Sequence, residues 1–434
     1  MLRRNDEVEF APLVEQQRLT RELLRDQLQY VLEKSPFYRR RFGGARLPAA
    51  ADILPFPESL PVTSRQDLET GNDEFRCAPL AEVREIVATS GTTGTPINIY
   101  LTAHDLEKLA ITEAYAFASA GFDSSDVVQL CVTMDNLFMA GMAYYLGLQR
   151  QGCAVLRQGP ANPVRQLALM RRNRVTGIVT VPSFLNALSK EWARQNLSRE
   201  DFHLRKAVLV GENIRNEDLT PNRVAQSIRK NWNIELYASY GNTEMNGSMA
   251  ECRCGCGCHI HPDMVHAEVL DAEGKPAPPG EAGMLVVTTL NSEGTPLIRY
   301  RTGDITSVRA EPCQCGRQSP RIGPILAREG QMLKIKGTKV YPTLISDLLA
   351  TLPGVEDFVI LADHDEHGSD RARVLVALAP ESGATEKSVG ENLYAALRIH
   401  PLVETAARER IAGLALPAGY RKKRTFIDQR RSGI

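Results

Sequence analysis

Between residues 84 and 300, short β-rich runs at 86–88, 127–132, 177–181, 207–210 and 235–238 alternate with stretches of helical periodicity. Parallel strands need long crossovers, usually helices, and are buried on both faces, so they read as continuous apolar runs rather than alternating ones. The alternation therefore predicts an α/β body with a largely parallel sheet. Upstream, Leu19, Leu23, Leu24, Leu28, Val31 and Leu32 recur at helical spacing, so 12–40 is expected as amphipathic helices packed on that body. After Gly330 the pattern changes to "MLKIKGTKVYP", a helix near 343–352, strands in "VEDFVILAD" and "ARVLVALAP", a helix near 386–399 and a basic end. That is a compact α+β unit of about 100 residues. The expected division is a body at 1–329 and a small C-terminal domain at 330–434.

A chain of 434 residues has room for two or three domains and at least one large core. Fifty-two Lys and Arg balance fifty-two Asp and Glu, which leaves no net positive field to hold a nucleic-acid backbone and favours a small neutral or anionic ligand. The opening "MLRRNDEVEF" has no apolar stretch of the kind a signal peptide needs, and no run approaches the roughly 20 apolar residues of a membrane span. A cytoplasmic protein with no membrane and no nucleic-acid partner is expected.

The stretch "ATSGTTGTPINIYLT" at 88–102 sets a bare polar loop between apolar runs. It is not a Walker loop, because Gly91 and Gly94 are too close together and no Lys follows. "INIYLT" alternates like a strand, so the loop is expected to join strand to strand. Its glycines allow close approach to an anion, and its hydroxyls offer donors that follow phosphate oxygens. Taken alone, such a loop is more often a solvated hairpin than a phosphate cradle.

Three later stretches narrow the choice. "YASYGNTEM" (237–245) ends one predicted strand, "LIRYRTGDI" (297–305) ends another, and "LKIKGTKVYP" opens the small domain. In this order, with the Ser-Gly-Thr-Thr-Gly loop upstream, they resemble the adenylate-forming superfamily of acyl-CoA synthetases. The nearest branch is similar to the phenylacetate-CoA ligases, and the likeness extends over nearly the whole chain, including "SPFYRRRF", "LPVTSRQDL", "CQCGR" and "RIGPIL". The implied fold is a large N-terminal adenylate-forming body with mostly parallel sheets and a small mobile C-terminal lid.

The resemblance implies roles residue by residue. Ser90, Gly91, Thr92, Thr93 and Gly94 would hold the β- and γ-phosphates of ATP. Tyr240 would stack on adenine within the stretch Tyr240, Gly241, Asn242, Thr243, with Thr243 on the α-phosphate and Glu244 on Mg2+. Asp304, an acceptor-only carboxylate, would bind the ribose hydroxyls, with Arg328 as second ribose contact and Gly211, Glu212 and Asn213 on the adenine side. The acid pocket has as candidates Asp135, Asn136, Leu137, Phe138 and Gly141 after one strand and Ser183 and Phe184 after another, since such folds place ligands at the ends of parallel strands.

The chain departs from the pattern in three places. Thr95 stands where relatives commonly carry Lys, and Gly330 occupies the usual hinge position, where glycine still absorbs a backbone rotation. The end reads "LPAGYRKKRTFIDQRR" instead of a Gly-Lys motif, so the catalytic lysine falls to Lys422, with Arg421 and Lys423 as alternatives and a solvated basic tail as the bland reading.

Six of the nine cysteines fall in "ECRCGCGCHIHPD" and "CQCGR", about 55 residues apart. Two pairs of soft ligands follow the logic of a structural zinc site. The expected ligands are Cys252, His259, Cys313 and Cys315, with Cys258 or Cys254 as replacements; surplus reduced thiols without metal are the alternative. Four protein ligands would brace the two segments and leave no open position for catalysis.

The expected activity is ATP-dependent, AMP-forming ligation of a carboxylic acid, aryl or arylacetic, to the thiol of coenzyme A, with ATP, Mg2+, coenzyme A and structural Zn2+ as cofactors. Two rivals stay open: an adenylating enzyme that loads a carrier-protein thiol or an amine, and a non-catalytic nucleotide-binding homologue. Homodimerisation is left open as well.

Overall fold

The computed structural model describes residues 8–42, 49–56, 60–89, 96–159, 162–335, 338–365, 369–417 and 424–430. Its contacts divide the chain into two compact units, one of 1–220 with 228–324 and one of 221–227 with 325–434.

The first unit is built on a nine-stranded sheet in the order Val308–Arg309, Arg321–Ile322, Cys258–His259, Gly247–Glu251, Glu235–Asn242, Lys206–Val210, Gly177–Thr180, Val127–Leu130, Ala154–Arg157. The last five strands run parallel, as the alternation predicts. Gly177–Thr180 and Lys206–Val210 are buried along their whole length, which is why they read as unbroken apolar runs. Helices Met139–Arg150, Pro163–Arg172 and Pro182–Arg194 occupy the connections between the parallel strands. From Glu235–Asn242 outward the sheet turns antiparallel, because Asn242 and Gly247 pair across a four-residue turn too short for a crossover.

Two further pairings were not separated by the sequence pattern. Val265–Leu270, Gly283–Thr289 and Tyr300–Thr306 are antiparallel neighbours in a second sheet. The 86–88 run, expected in the parallel sheet, belongs instead to the strand Val83–Ala88, which pairs antiparallel with Asn98–Thr102. That ribbon brackets the Ser/Thr/Gly loop, so strand joins strand as expected. Helix Ala103–Ser119 starts on a capping box between Thr102 and Asp105 and lies across Gly247–Glu251, where Ser248 Oγ donates to Glu113 Oε2 at 2.8 Å.

The expected N-terminal helices are Leu13–Lys34 and Pro36–Phe42. Leu24, Leu28 and Val31 face the core, and Gln27 exchanges two 2.9 Å hydrogen bonds with the backbone of Ser292. No helix among the described residues is long and apolar enough to cross a membrane.

The second unit carries a sheet in the order Leu402–Thr405, Asp370–Leu378, Val355–His364, Phe426–Asp428, with helices Pro342–Thr351, Glu386–Leu397 and Arg408–Ala415. Its own core joins Ile345, Leu349, Ile360, Val374, Val376 and Leu393. Phe426–Asp428 runs parallel to Val355–His364 and fixes the chain just beyond the basic stretch.

Candidate active site and candidate metal centre

Four parallel strands lie side by side, so the segments that leave their C-terminal ends emerge on one edge of the sheet: 131–138, 181–184, 211–213 and 240–244. Open α/β sheets bind ligands at that edge, and the stretches singled out from the sequence converge there for this topological reason.

Tyr240 and Asp304 are 64 residues apart in sequence, yet Tyr240 Oη donates to Asp304 Oδ2 at 2.8 Å. Burial and the adjacent Asp304 carboxylate hold the Tyr240 phenol well above its usual range, so it remains a hydrogen-bond donor. Asn242 Nδ2 reaches Tyr240 Oη at 3.4 Å, and Asn242 Oδ1 accepts from the Met245 N–H at 2.7 Å. Residues 243–246 form the turn; Asn246 closes it at φ 52°, a left-handed conformation that asparagine tolerates better than most residues. Buried Met245 anchors the turn and leaves Thr243 half-exposed at its tip.

Glu244, expected on Mg2+, is buried and accepts from Tyr300 Oη at 3.1 Å. Burial first, then the Glu244 charge, pushes the Tyr300 phenol up. Arg65, on helix Arg65–Gly71, lies 3.6 Å from Glu244 and donates through Nε to Glu69 at 2.8 Å, while its Nη2 is buried with no hydrogen-bond partner among the described residues. Sequence reasoning missed both Arg65 and Tyr300. The usable signal was Thr95: a missing loop lysine calls for a cation elsewhere, and Arg65 sits inside "LPVTSRQDL".

The acid-pocket candidates are placed unevenly. Asn136 and Leu137 take consecutive left-handed conformations at φ 57° and 59°, a costly arrangement for non-glycine residues, and the Leu137 carbonyl accepts from the Ala88 N–H at 2.9 Å. That bond ties the base of the Ser/Thr/Gly loop to the 135–138 loop. Asp135 accepts from Thr133 Oγ1 at 2.5 Å and is exposed, whereas Phe138 and Phe184 are half-buried. Gly141 has a packing reason of its own, since a Cβ there would lie 2.0 Å from the Thr133 carbonyl oxygen.

Glu212 is engaged locally. Its carboxylate accepts from Ser183 N at 2.9 Å and Ser183 Oγ at 2.7 Å, capping helix Pro182–Arg194, while Gly211 turns the chain at φ 75°. Asn213 follows, half-buried. Arg328 is exposed in the second unit and opens a turn in which Gln331 N donates to its carbonyl at 3.0 Å and Gly330 sits at φ 74°. Ser90, Gly91, Thr92, Thr93 and Gly94, together with Lys422 and its alternatives Arg421 and Lys423, lie outside the described residues.

The cysteine segments meet as expected. One ligand atom each from Cys252, His259, Cys313 and Cys315 all fall within 4.8 Å of one another. The Cys252 and Cys313 sulfurs are 3.6 Å apart, and Cys315 Sγ is 3.6 Å from His259 Nε2. Tetrahedral zinc with bonds of about 2.0–2.3 Å separates its ligand atoms by roughly 3.3–3.8 Å, a range that both of these separations meet. His259 Nδ1 bonds Ser319 Oγ at 3.1 Å, which turns Nε2 toward the thiols. Burial pulls the His259 imidazole down to about 4, keeping it neutral. Burial raises the Cys313 thiol, but the Cys315 N–H and the neighbouring thiols outweigh this and bring it to about 7.

Of the two replacements, Cys258 is removed by the structure, because its sulfur turns away to the Ala238 carbonyl at 3.6 Å. Strand alternation explains it: His259 faces the cluster, so its neighbour faces the opposite side. Cys254 is exposed, and its N–H donates to Cys252 Sγ at 3.4 Å. Around the cluster, Arg317 donates to Cys315 Sγ at 3.6 Å and pairs with Glu9, which also holds His261 Nδ1.

The AMP-binding enzyme family model matches residues 48–291. The phenylacetate-coenzyme A ligase of Thermus thermophilus is 31% identical over 416 residues, covering 93% of this chain and 91% of that protein. The phenylacetate-coenzyme A ligase of Escherichia coli is 29% identical over 354 residues, covering 79% and 78%. Among solved structures, 2-hydroxyisobutyryl-CoA ligase in the postadenylation state superposes with a TM-score of 0.82 at 21% identity, covering 98% of this chain and 92% of that one. With its fold, its matched span and these relatives in agreement, the chain belongs to the AMP-binding enzyme family, in its phenylacetate-CoA ligase-like branch.

Proposed function

We propose that this protein is an ATP-dependent, AMP-forming acid–coenzyme A ligase, which joins a carboxylic acid to the α-phosphate of ATP, releases pyrophosphate, and then lets the thiol of coenzyme A displace AMP. The observation that carries the reading is the Tyr240–Asp304 hydrogen bond beside the 243–246 turn, at the sheet edge where four strand-end segments converge. It joins an aromatic face, a carboxylate for vicinal hydroxyls, the Thr243 hydroxyl and a buried carboxylate in one place.

In this reading Asp304 holds the ribose, Tyr240 packs against adenine, and Gly211 and Asn213 line its edge with Glu212 holding their loop. Thr243 meets the α-phosphate. Glu244 would hold Mg2+, which when bound would supply positive charge against the charge that develops as pyrophosphate leaves. Arg65 adds the cation that Thr95 does not supply, and Ser90, Gly91, Thr92, Thr93 and Gly94 cradle the outer phosphates. Lys422 meets the carboxylate and α-phosphate from the C-terminal domain, 330–434, which acts as a mobile lid turning about Gly330, and Arg328 is the second ribose contact.

The acid is aryl or arylacetic. Phe138 and Phe184 support this, both half-buried just past the ends of adjacent parallel strands, Phe138 at the start of helix Met139–Arg150 and Phe184 in the first turn of helix Pro182–Arg194. Zn2+ on Cys252, His259, Cys313 and Cys315 braces the 252–259 and 313–315 segments. ATP and coenzyme A as co-substrates suit a cytoplasmic location.

The test is pyrophosphate release with Mg-ATP and a panel of aryl, arylacetic, hydroxy and aliphatic acids, each with and without coenzyme A. Acid-dependent release with a coenzyme A thioester is expected. Release without thioester points to a carrier-protein or amine acceptor, and ATP binding with no acid-dependent release points to a non-catalytic homologue.

A further inference from the structure

A fifth thiol adjoins the candidate metal centre and is not one of the four converging groups. Cys256 Sγ lies 3.3 Å from Cys313 Sγ, closer than Cys252 Sγ at 3.6 Å. It is half-buried and lies between Gly255 at φ 60° and Gly257 at φ 104°, and a Cβ on Gly257 would come within 2.7 Å of the Ile322 carbonyl oxygen. Gly257 lets the loop lie against the neighbouring strand, and the two positive-φ glycines turn the chain on either side of Cys256.

Arg321 holds that geometry. Its Nη1 donates to Cys256 Sγ at 2.9 Å and to the Cys256 carbonyl at 3.0 Å, while Nη2 donates to the Glu311 carbonyl at 2.6 Å. One guanidinium therefore spans both cysteine-bearing segments. A disulfide requires the two sulfurs to close to about 2.05 Å, a shift of little more than an ångström from the contact already present.

We propose that Cys256 and Cys313 form an oxidisable dithiol, a redox modification site whose closure withdraws Cys313 from the metal and releases it. The oxidant is a hydroperoxide. One thiol attacks its O–O bond, giving a sulfenic acid and an alcohol, or water when the peroxide is hydrogen peroxide. The second thiol displaces the sulfenic hydroxyl as water and the S–S bond forms, so the two sulfurs supply both electrons. The ion then keeps three of its four ligands and is lost to any competing chelator. Metal release rests on the zinc reading above; the disulfide does not.

The experiment begins with the metal content of the full-length protein as purified. The protein is then treated with stoichiometric hydrogen peroxide while zinc release is followed with a chromophoric chelator, and disulfides are mapped by non-reducing peptide mass spectrometry. The expected result is a Cys256–Cys313 linked peptide that appears in step with zinc release and is reversed by a dithiol reductant and added zinc. C256S should release zinc about tenfold more slowly or worse. Mapping on the unmutated protein keeps the test independent of how the variants fold. A wild-type release rate in C256S, or linkage only between other cysteines, overturns the proposal. A Cys256–Cys313 disulfide in protein that contains no zinc as purified supports the dithiol and removes the zinc reading.

Discussion

At the scale of single residues, the Tyr240–Asp304 contact makes a measurable claim. Tyr240→Phe keeps the aromatic face and deletes one hydrogen bond, worth about 0.5–1.5 kcal/mol, so the KM for ATP should rise roughly two- to tenfold with little change in kcat. In the proposed function Glu244→Gln removes the charge that holds Mg2+ as pyrophosphate leaves, so kcat should fall on the order of a hundredfold or more. Steady-state kinetics at saturating acid and coenzyme A reads both, and an unchanged kcat in Glu244→Gln would contradict the Mg2+ assignment. Glu113 offers a pH-dependent test away from this site. Burial pushes its carboxyl up to about 7, with Ser248 and His261 pulling the other way. The folded protein therefore keeps a proton that the unfolded chain releases near pH 4.5. Stability from this group is full below that pH and is lost as the pH rises toward 7. Thermal unfolding should show Glu113→Gln more stable than wild type at pH 8, by on the order of 1–3 kcal/mol, and similar to it at pH 4.

At the scale of elements, the ligand edge is built from strand ends and caps. Glu212 satisfies the N-terminus of helix Pro182–Arg194 through Ser183, so Glu212→Ala should cost about 0.5–2 kcal/mol in thermal unfolding. Because the carboxylate is held by Ser183, the KM for ATP should change less than in Tyr240→Phe; a larger change would assign the carboxylate to the nucleotide. This scale also shows what the sequence made legible. Buried parallel strands such as Lys206–Val210 announce themselves as unbroken apolar runs, and so did the sheet edge that follows from them. The apolar run at 86–88, part of Val83–Ala88, looked like another such strand, since so short a run does not name its partner. The approach of Tyr240 to Asp304, and of Arg65 and Tyr300 to Glu244, depends on how two sheets and a helix pack, which no local pattern records. The cysteines divide the same way. Soft-ligand pairs were readable from spacing, but the side toward which Cys258 turns was fixed only by strand register.

At the scale of the whole molecule, the candidate metal centre joins segments about 55 residues apart in sequence, and Glu9 pairs with Arg317 and His261 beside it, from the N-terminal turn. Binding of an ion by the folded state alone stabilises that state by mass action. Prolonged chelation should therefore lower the melting temperature of the first unit, and added zinc should restore it at one ion per chain. Metal analysis with calorimetry checks this, and an unaltered melting temperature after the loss of one zinc per chain would contradict a bracing role. The proposed ligation is read from its products. Its most direct test is product analysis after mixing the purified protein with Mg-ATP, coenzyme A and an arylacetic or benzoic acid. AMP, pyrophosphate and the acyl-coenzyme A thioester are expected in equal amounts, each absent when the acid is omitted. ADP and phosphate in their place, or bound ATP left intact across the acid panel, would contradict it.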